Sequence, residues 1–527
     1  MTLIKTEELT PTTPLSAIDT LQTYCCLDSL VMLEVFEEIS SLFNQPPQIY
    51  SFERALQAPY LEMMQRGFLV DELARRQAVD SLRARELRLQ ATLNEMAQAA
   101  CGHSLNPRSP AQLKDFFYSS LKLPEVWLSQ KGERKLSTNR EALEKLDSYL
   151  YARPFVSAVL GLRDLAKQRE VLETEIDRDG RIRTSYNIAG TETGRPSSSS
   201  NAFGTGGNLQ NVALGLRYVF VADPGWKLVV IDLEQVEARD VGWFCGVLFN
   251  DWSYLDACES GDLHTSVCKL VWPRELKWTG VPDRDKWLAD SSIFYRDFSY
   301  RFMSKRGAHL SNYMGTAWTA ARVMKMPIAT LEEFQARYIL GRAQFTDKKG
   351  TFHPAIVPAF PCIPRWWQWI AQQIQTPPHS LTTPFGRTRH FFGRPGDDTT
   401  LREAIAYMPQ STTADRMNLG LWRIWKHMPQ VQLLGQGYDS VTFQVQDDSR
   451  FDEVVAEALE LIKVPLEHQG RRYICPGEAK VGWNWGSMHD ASKPLGQGNK
   501  FNPDGLVKWQ PGQDRRQRQV GIKRIMA

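Results

Sequence analysis

Asp232 ends a short apolar run, Leu228 to Ile231, that follows a turn at Pro224 and Gly225; Glu234, Gln235, Glu237 and Arg239 come directly after it. Such a run reads as a buried β-strand. A strand that delivers a carboxylate at its end and then turns into a charged segment is one way to hold a metal ion, although a strand capped by a solvated acidic turn looks the same. A second acid, Asp439, lies in VQLLGQGYDSVTFQV (431–445), which reads as two strands around GQGYDS and puts Asp439 at a hairpin tip. Between the two acids, residues 296–326 read as one helix on which Arg301, Lys305, His309 and Tyr313 recur every four residues. At about 3.6 residues per turn the row drifts only about 40° per step, so all four share one stripe. Basic stripes are usually solvated faces. This one passes from cationic to aromatic, which suits a triphosphate at one end and a stacked base at the other. Lysine is a mobile point charge for phosphate, while arginine adds a fixed fork of donors.

Several elements would have to position these groups. Residues 14–43 and 51–100 carry apolar residues at helical spacing, with Tyr24 and Asp28 on one face of the first segment. Ser137 is a candidate N-cap, with Glu141 one turn later, and a further helix runs from about Pro154 to Ile176. The character changes near residue 177. The stretch to NLQNV is rich in Gly, Ser, Thr and Asn and holds Arg181, Arg183 and Arg195, a composition suited to phosphate and sugar contacts. LRYVFV after it reads as a strand. His264 stands in GDLHTSV, residues 341–360 read as a loop insertion and 363–375 as an aromatic helix. TTPFGRTRHFF reads as a basic hairpin, and a helix with a polar start at Gln410 to Asp415 follows.

The bulk numbers restrict the class. The chain has 527 residues and a formal net charge of +3, so composition alone does not announce a nucleic-acid binder. No apolar run approaches a membrane span, and MTLIKTEELTPTTP lacks the basic start and apolar core of a signal peptide. The eight cysteines include no CxxC pair, which argues against zinc and disulfide frameworks and for a reducing, cytoplasmic compartment.

In order along the chain, TETGRPSSSS with NLQNV, DLEQVEAR, RFMSKRGAHLSNYMG, QSTTAD and GYDSV resemble the motifs of the family A DNA polymerases, over roughly residues 14–487. DLEQ and His309 resemble phage-type members. The resemblance implies an α+β right-hand fold with an antiparallel palm sheet, helical fingers and a helical thumb. It divides the chain into a thumb (51–180), a first palm part (181–240), fingers (241–427), a second palm part (428–487) and a basic C-terminal tail (488–527). It implies template-directed addition of dNTPs to a primer 3′-hydroxyl. Asp232 and Asp439 would hold two Mg²⁺ ions. Arg301 and Lys305 would grip the triphosphate with His264, and Lys305 would also serve as a proton donor to the leaving group. His309, Tyr313, Gln235 and the steric gate Glu237 would line the nucleotide site. Arg195, Asn211, Arg217, Gln410 and Tyr438 would contact primer–template DNA.

The chain departs from the family pattern at several places. Tyr438 and Ser440 replace the usual His and Glu beside Asp439, His309 replaces Phe or Tyr, Met314 replaces Gly, and Glu234 stands where Ser is usual. Tyr24 and Asp28 resemble the last motif of a 3′–5′ proofreading exonuclease whose earlier motifs have no room in the chain. The expectation is therefore no autonomous proofreading: either that domain has decayed, or its front part is a separate polypeptide that docks on residues 1–50. The rival readings are a single-subunit RNA polymerase, against which Glu237 speaks, and a non-catalytic DNA-binding subunit derived from a polymerase.

Overall fold

The computed structural model describes residues 17–43, 47–130, 133–201, 204–296, 298–347, 350–394, 396–489 and 501–512. The expected basic stretch from 514 onward lies outside the described residues. The chain divides into two compact units, Met1–Ala55 and Leu56–Ala527.

In the first unit, helix α1 (Ala17–Ser41) carries Tyr24 and Asp28 one turn apart, both exposed. Its apolar residues Val31, Leu33, Val35, Phe36 and Ile39 are exposed as well. Helix α2 (Gln48–Arg66) begins in this unit.

The second unit opens with helical structure. Helix α3 (Glu72–Cys101) starts where the Asp71 carboxylate accepts from the Ala74 amide at 3.0 Å and stops at Gly102, whose φ of +79° a side chain would resist. Helix α4 (Arg153–Leu172) packs against it. Leu93, Ala97, Phe116, Phe117, Leu143, Val156 and Val159 close a core between these elements. The cap at residues 137–141 differs from expectation. Asn139, not Ser137, accepts from the Ala142 amide at 2.9 Å, and Ser137 turns its hydroxyl to the Asn139 amide. LRYVFV also differs: it is a 3₁₀ turn, Leu214–Val219, before a two-residue strand, Phe220–Val221.

Strand β1 (Trp226–Leu233) is buried along nearly its whole length. That is what a continuous apolar run requires of a strand covered on both faces. Helix α5 (Val236–Phe249) follows after two residues, and helix α6 (Leu263–Val271) lies farther on. The segment read as one helix over 296–326 is two, α7 (Tyr300–Asn312) and α8 (Ala317–Met324). Met314 at φ +58° breaks the first, and Thr316 caps the second through the Thr319 amide. Tyr313 is therefore the residue that ends α7. The segment read as a loop insertion contains a short antiparallel pairing of Phe345 and Thr346 with His353 and Phe352. The aromatic helix (Cys362–Gln375) and basic hairpin (Ser380–Thr382 with Thr388–His390) form as expected.

Helix α9 runs from Asp398 to His427, so Gln410 to Asp415 lie in its middle rather than at its start. Ser411, Thr412, Thr413 and Asp415 are buried there. Strands β2 (Gln432–Gly437) and β3 (Ser440–Gln446) form the expected hairpin, and β4 (Gly477–Gly482) follows. Strand β5 (Val507–Lys508) adds to the same sheet, so the sheet reaches past residue 487 into the expected tail. The five strands are antiparallel in the order β2-β3-β1-β4-β5, with β1 in the centre. Phe68, Phe220, Leu228, Val230, Leu434 and Trp485 pack a core against it.

Candidate active site

Sheet register brings the two acids together. Asp232 pairs with Ser440 on β3, and the Leu233 amide donates to the Asp439 carbonyl at 3.0 Å. Asp439 thus sits at the tip of a two-residue loop beside the end of β1. Tyr438, the first loop residue, has φ +48°, the left-handed conformation that such tight hairpins use. Burial raises the Asp232 carboxyl well above its ordinary range; the nearby Asp439 adds to this, and Lys480 and Lys305 oppose it. Burial likewise raises the Asp439 carboxyl, with Glu237 adding to the effect and Arg195 opposing it. Neither carboxylate forms an ion pair among the described residues.

Helix α7 presents the cations Arg301 and Lys305, and α6 brings His264 beside them. Arg301 is held in a two-point ion pair by Asp262, Nε to Oδ2 at 2.8 Å and Nη2 to Oδ1 at 2.7 Å. Asp262 also caps α6, accepting from the Thr265 amide at 2.9 Å and from its hydroxyl at 2.7 Å. Sequence reading passed over Asp262, although an Asp one residue before a helix start and three before a Thr is a cap signal. Burial, with Arg301 and Lys305 nearby and against the opposing effect of Asp262, lowers the His264 imidazole to about 4, so it is neutral at pH 7. Its Nδ1 has no hydrogen-bond partner among the described residues. The His309 ring meets Tyr313 edge-on with centroids 5.1 Å apart.

Glu237, at the start of α5, joins two elements. It accepts from Arg195 and from the Tyr313 hydroxyl. Burial, and then Glu237, pushes the Tyr313 phenol well above its usual range. Arg195 also lies 5.5 Å from the centre of the Tyr438 ring. Tyr313, Glu237, Arg195 and Tyr438 therefore form one chain from the end of α7 to the Asp439 hairpin. Gln235 precedes α5 at φ +55°, and its Oε1 is buried without a partner among the described residues.

Arg217 lies over Trp485 at 4.4 Å and donates to the Val212 carbonyl. Burial lowers its guanidinium pKa, which Asp232 opposes. Asn211 is exposed in a 3₁₀ turn held by Asn208. Its neighbour Gln210 reaches the Gln436 carbonyl at 3.1 Å, a link across the site that the sequence did not signal. Gln410 stands apart: among the described residues no hydrogen bond or ion pair ties it to the acid pair.

The arrangement sets two acids on a sheet, cations on an adjoining helix, and an Arg–Glu–Tyr chain between them. Residues 76–277 match the family model for DNA polymerase family A. The chain is 26% identical over 449 residues to the thermostable DNA polymerase I of Thermus thermophilus, covering 79% of this chain and 46% of that protein. The DNA polymerase I of Chloroflexus aurantiacus is 28% identical over 288 residues, 51% of this chain and 29% of the relative. Over these stretches the chain is similar to family A DNA polymerases. The chain spans about half the length of the first of these relatives. A solved structure, the POL domain of Pol1 from M. smegmatis in complex with DNA primer-template and dNTP, superposes with a TM-score of 0.62. It is 20% identical and covers 82% of this chain and 70% of that one. The fold is the right-hand polymerase fold.

Proposed function

We propose that this chain is a DNA-directed DNA polymerase that adds dNTPs to a primer 3′-hydroxyl, with Asp232 and Asp439 as its metal-binding acids. The observation that carries the reading is their juxtaposition: half-buried Asp232 at the end of β1 and exposed Asp439 at the adjoining hairpin tip, neither with an ion-pair partner among the described residues. Mg²⁺ suits such a pair, because it binds through one or two carboxylates together with substrate phosphates rather than in an all-protein cage. Two bound Mg²⁺ ions would activate the primer hydroxyl and offset charge on the departing pyrophosphate.

The chain's own residues supply the rest. Phosphoryl transfer depends mostly on positioning and charge stabilisation. Arg301 and Lys305 bind the triphosphate, with Asp262 fixing the guanidinium of Arg301. His264, neutral, lies beside them at the pyrophosphate end. Lys305 carries the proton that the leaving group takes up. Glu237, fixed by Arg195 and Tyr313, occupies the space of a ribose 2′-hydroxyl, and Tyr313, His309 and Gln235 line the nucleotide site. Arg195, Asn211, Arg217, Gln410 and Tyr438 bind primer–template. Closure of α7 over a matched nucleotide would couple fit to chemistry.

DLEQ and His309 support a phage-type member. The exposed apolar side chains of α1, and its Tyr24–Asp28 face, support a docking end for a separate 3′–5′ exonuclease polypeptide. Eight free cysteines support a reducing, cytoplasmic setting, and among the described residues no helix is long and apolar enough to cross a membrane. Primer extension with Mg²⁺ tests the main reading. Wild type should extend a primer with dNTPs and Asp232→Asn should not; a wild-type chain that extends nothing ends the reading.

A further inference from the structure

The face of the sheet that bears Asp232 also bears two lysines to which the polymerase motifs assign no task. Residues two apart on a strand share a face, and so do their cross-strand partners. Ser440, Asp232 and Glu478 therefore form one row across β3, β1 and β4. The next row is Thr442, Val230, Lys480 and Lys508, the last on β5. The ammonium of Lys480 lies 3.4 Å from one oxygen of Glu478, and that of Lys508 lies 2.6 Å from the other. Two cations thus share one carboxylate, and Glu234 faces Lys508 from the loop beyond β1.

The lysine side chains are 41% and 61% exposed, so their pairing with Glu478 adds little to stability. Lys480 also lines a recess of about 300 Å³ together with Asp232, Asp439, Arg217, Gln436 and Tyr438. The cations of the triphosphate site, Arg301 and Lys305, come from another element, α7. A strand whose end reaches Asp232 and Asp439 must lay its backbone on this face. Exposed lysines on such a path suit phosphates, which are bound as charges and without regard to sequence.

We propose that Lys480, with Lys508 beside it, holds backbone phosphates of the primer strand just behind its 3′ end. The inference rests on the polymerase reading for the identity of that strand. Lys508 would make β5, which extends the sheet past its usual motifs, a working part of the site.

Equilibrium binding of the full chain to a duplex with a recessed 3′ end, followed by fluorescence anisotropy across salt, tests it. Each phosphate contact contributes a slope of about 0.9 in log K against log salt. Lys480→Gln should make the slope shallower by about 1, and Lys480→Gln with Lys508→Gln by up to about 2. Lys480→Arg should restore the wild-type slope. Primers with one neutral methylphosphonate at each of the last phosphates locate the contact. At the contacted phosphate, the methylphosphonate and Lys480→Gln should cost no more together than singly, the non-additivity of a shared interaction. A wild-type slope in both variants, or additivity at every phosphate, overturns the proposal. Thermal unfolding of the variants keeps a folding defect separate from a lost contact. Extension is scored apart: a chain that shows this coupling but extends no primer overturns the polymerase reading and leaves the lysine contact standing.

Discussion

Asp262 offers the sharpest test of how the proposed nucleotide site is built, because two opposite outcomes follow from two opposite roles. If it aligns Arg301, removing its charge weakens nucleotide binding. If it competes with the triphosphate for Arg301, removing its charge strengthens binding. Geometry favours alignment. Asp262 engages Nε and Nη2 of the guanidinium, while Nη1 meets only Asp290 at 3.5 Å, the outer limit of a hydrogen bond. The guanidinium has five N–H donors in a fixed fork, so the Nη1 edge remains for a phosphate while the other edge is clamped.

Asp262→Asn keeps one acceptor oxygen, enough for the Thr265 cap, but loses the charge and one of the two acceptors facing Arg301. A hydrogen bond to a charged group nets about 1.5–3 kcal/mol. The side chains are only 21% and 18% exposed, so solvent screening takes little of this. Losing one such bond at the lower end, about 1.5 kcal/mol, is roughly a tenfold rise in KM for dNTP. Steady-state extension with varied dNTP measures it, and kcat should fall less than KM rises. The ion pair also has a pH signature. Against the cost of burial, Arg301 and Thr265 hold the Asp262 carboxyl well below its usual range. The folded-state value is depressed, so the stability it contributes is full above the unfolded value near 3.8 and drains as pH falls below it. That part of the acid unfolding profile should flatten in Asp262→Asn. A KM that stays put or falls refutes the alignment role.

Three further outcomes are expected. Glu234→Ser should retain primer extension, because Glu234 serves through its backbone, donating to the Pro476 carbonyl and accepting from Arg239, both at 2.9 Å; a variant as inactive as Asp232→Asn would reveal a metal role. His264→Gln should flatten the thermal stability profile between about pH 4 and 6.5: the folded imidazole is lowered to about 4, so the wild type loses stability as pH falls through that window. Parallel profiles would sink that assignment. Arg416→Met should destabilise by about 3–5 kcal/mol, because it strands the fully buried Asp240 that Arg416 meets at 2.8 Å. Adding Asp240→Leu should recover most of the loss in a urea titration.

What the sequence could disclose was local. The apolar run ending in Asp232 and the GQGYDS turn each define a strand end from a few adjacent residues, so both acids were legible, and so was their placement at a sheet end and a hairpin tip. The polar stretch Gln410 to Asp415 misled for a physical reason. Polar residues suggest a helix start when their partners are unseen, but Thr413 and Asp415 meet Asp240 and Arg387 within the interior. The break after Asn312 was hidden too, because Tyr313 continues the four-residue recurrence and only the backbone turn at Met314 ends it.

Partners far apart along the chain were not legible from spacing. Arg195 and Tyr313 lie 42 and 76 positions from Glu237, yet both terminate on its carboxylate. This placement has a mechanical consequence that no single motif carries. Tyr313 is the residue at which α7 ends, and Glu237 is anchored to the helix that follows the Asp232 strand. Any rotation of α7 toward the sheet must therefore carry the Tyr313 hydroxyl relative to Glu237, and Arg195 then becomes the sole remaining donor on that carboxylate among those described. Arg195 in turn packs over Tyr438, beside Asp439. The end of α7 and the Asp439 hairpin are thus linked through one arginine. A Lys at position 195, with a single ammonium in place of the planar fork, keeps the charge and loses the stacked face over Tyr438.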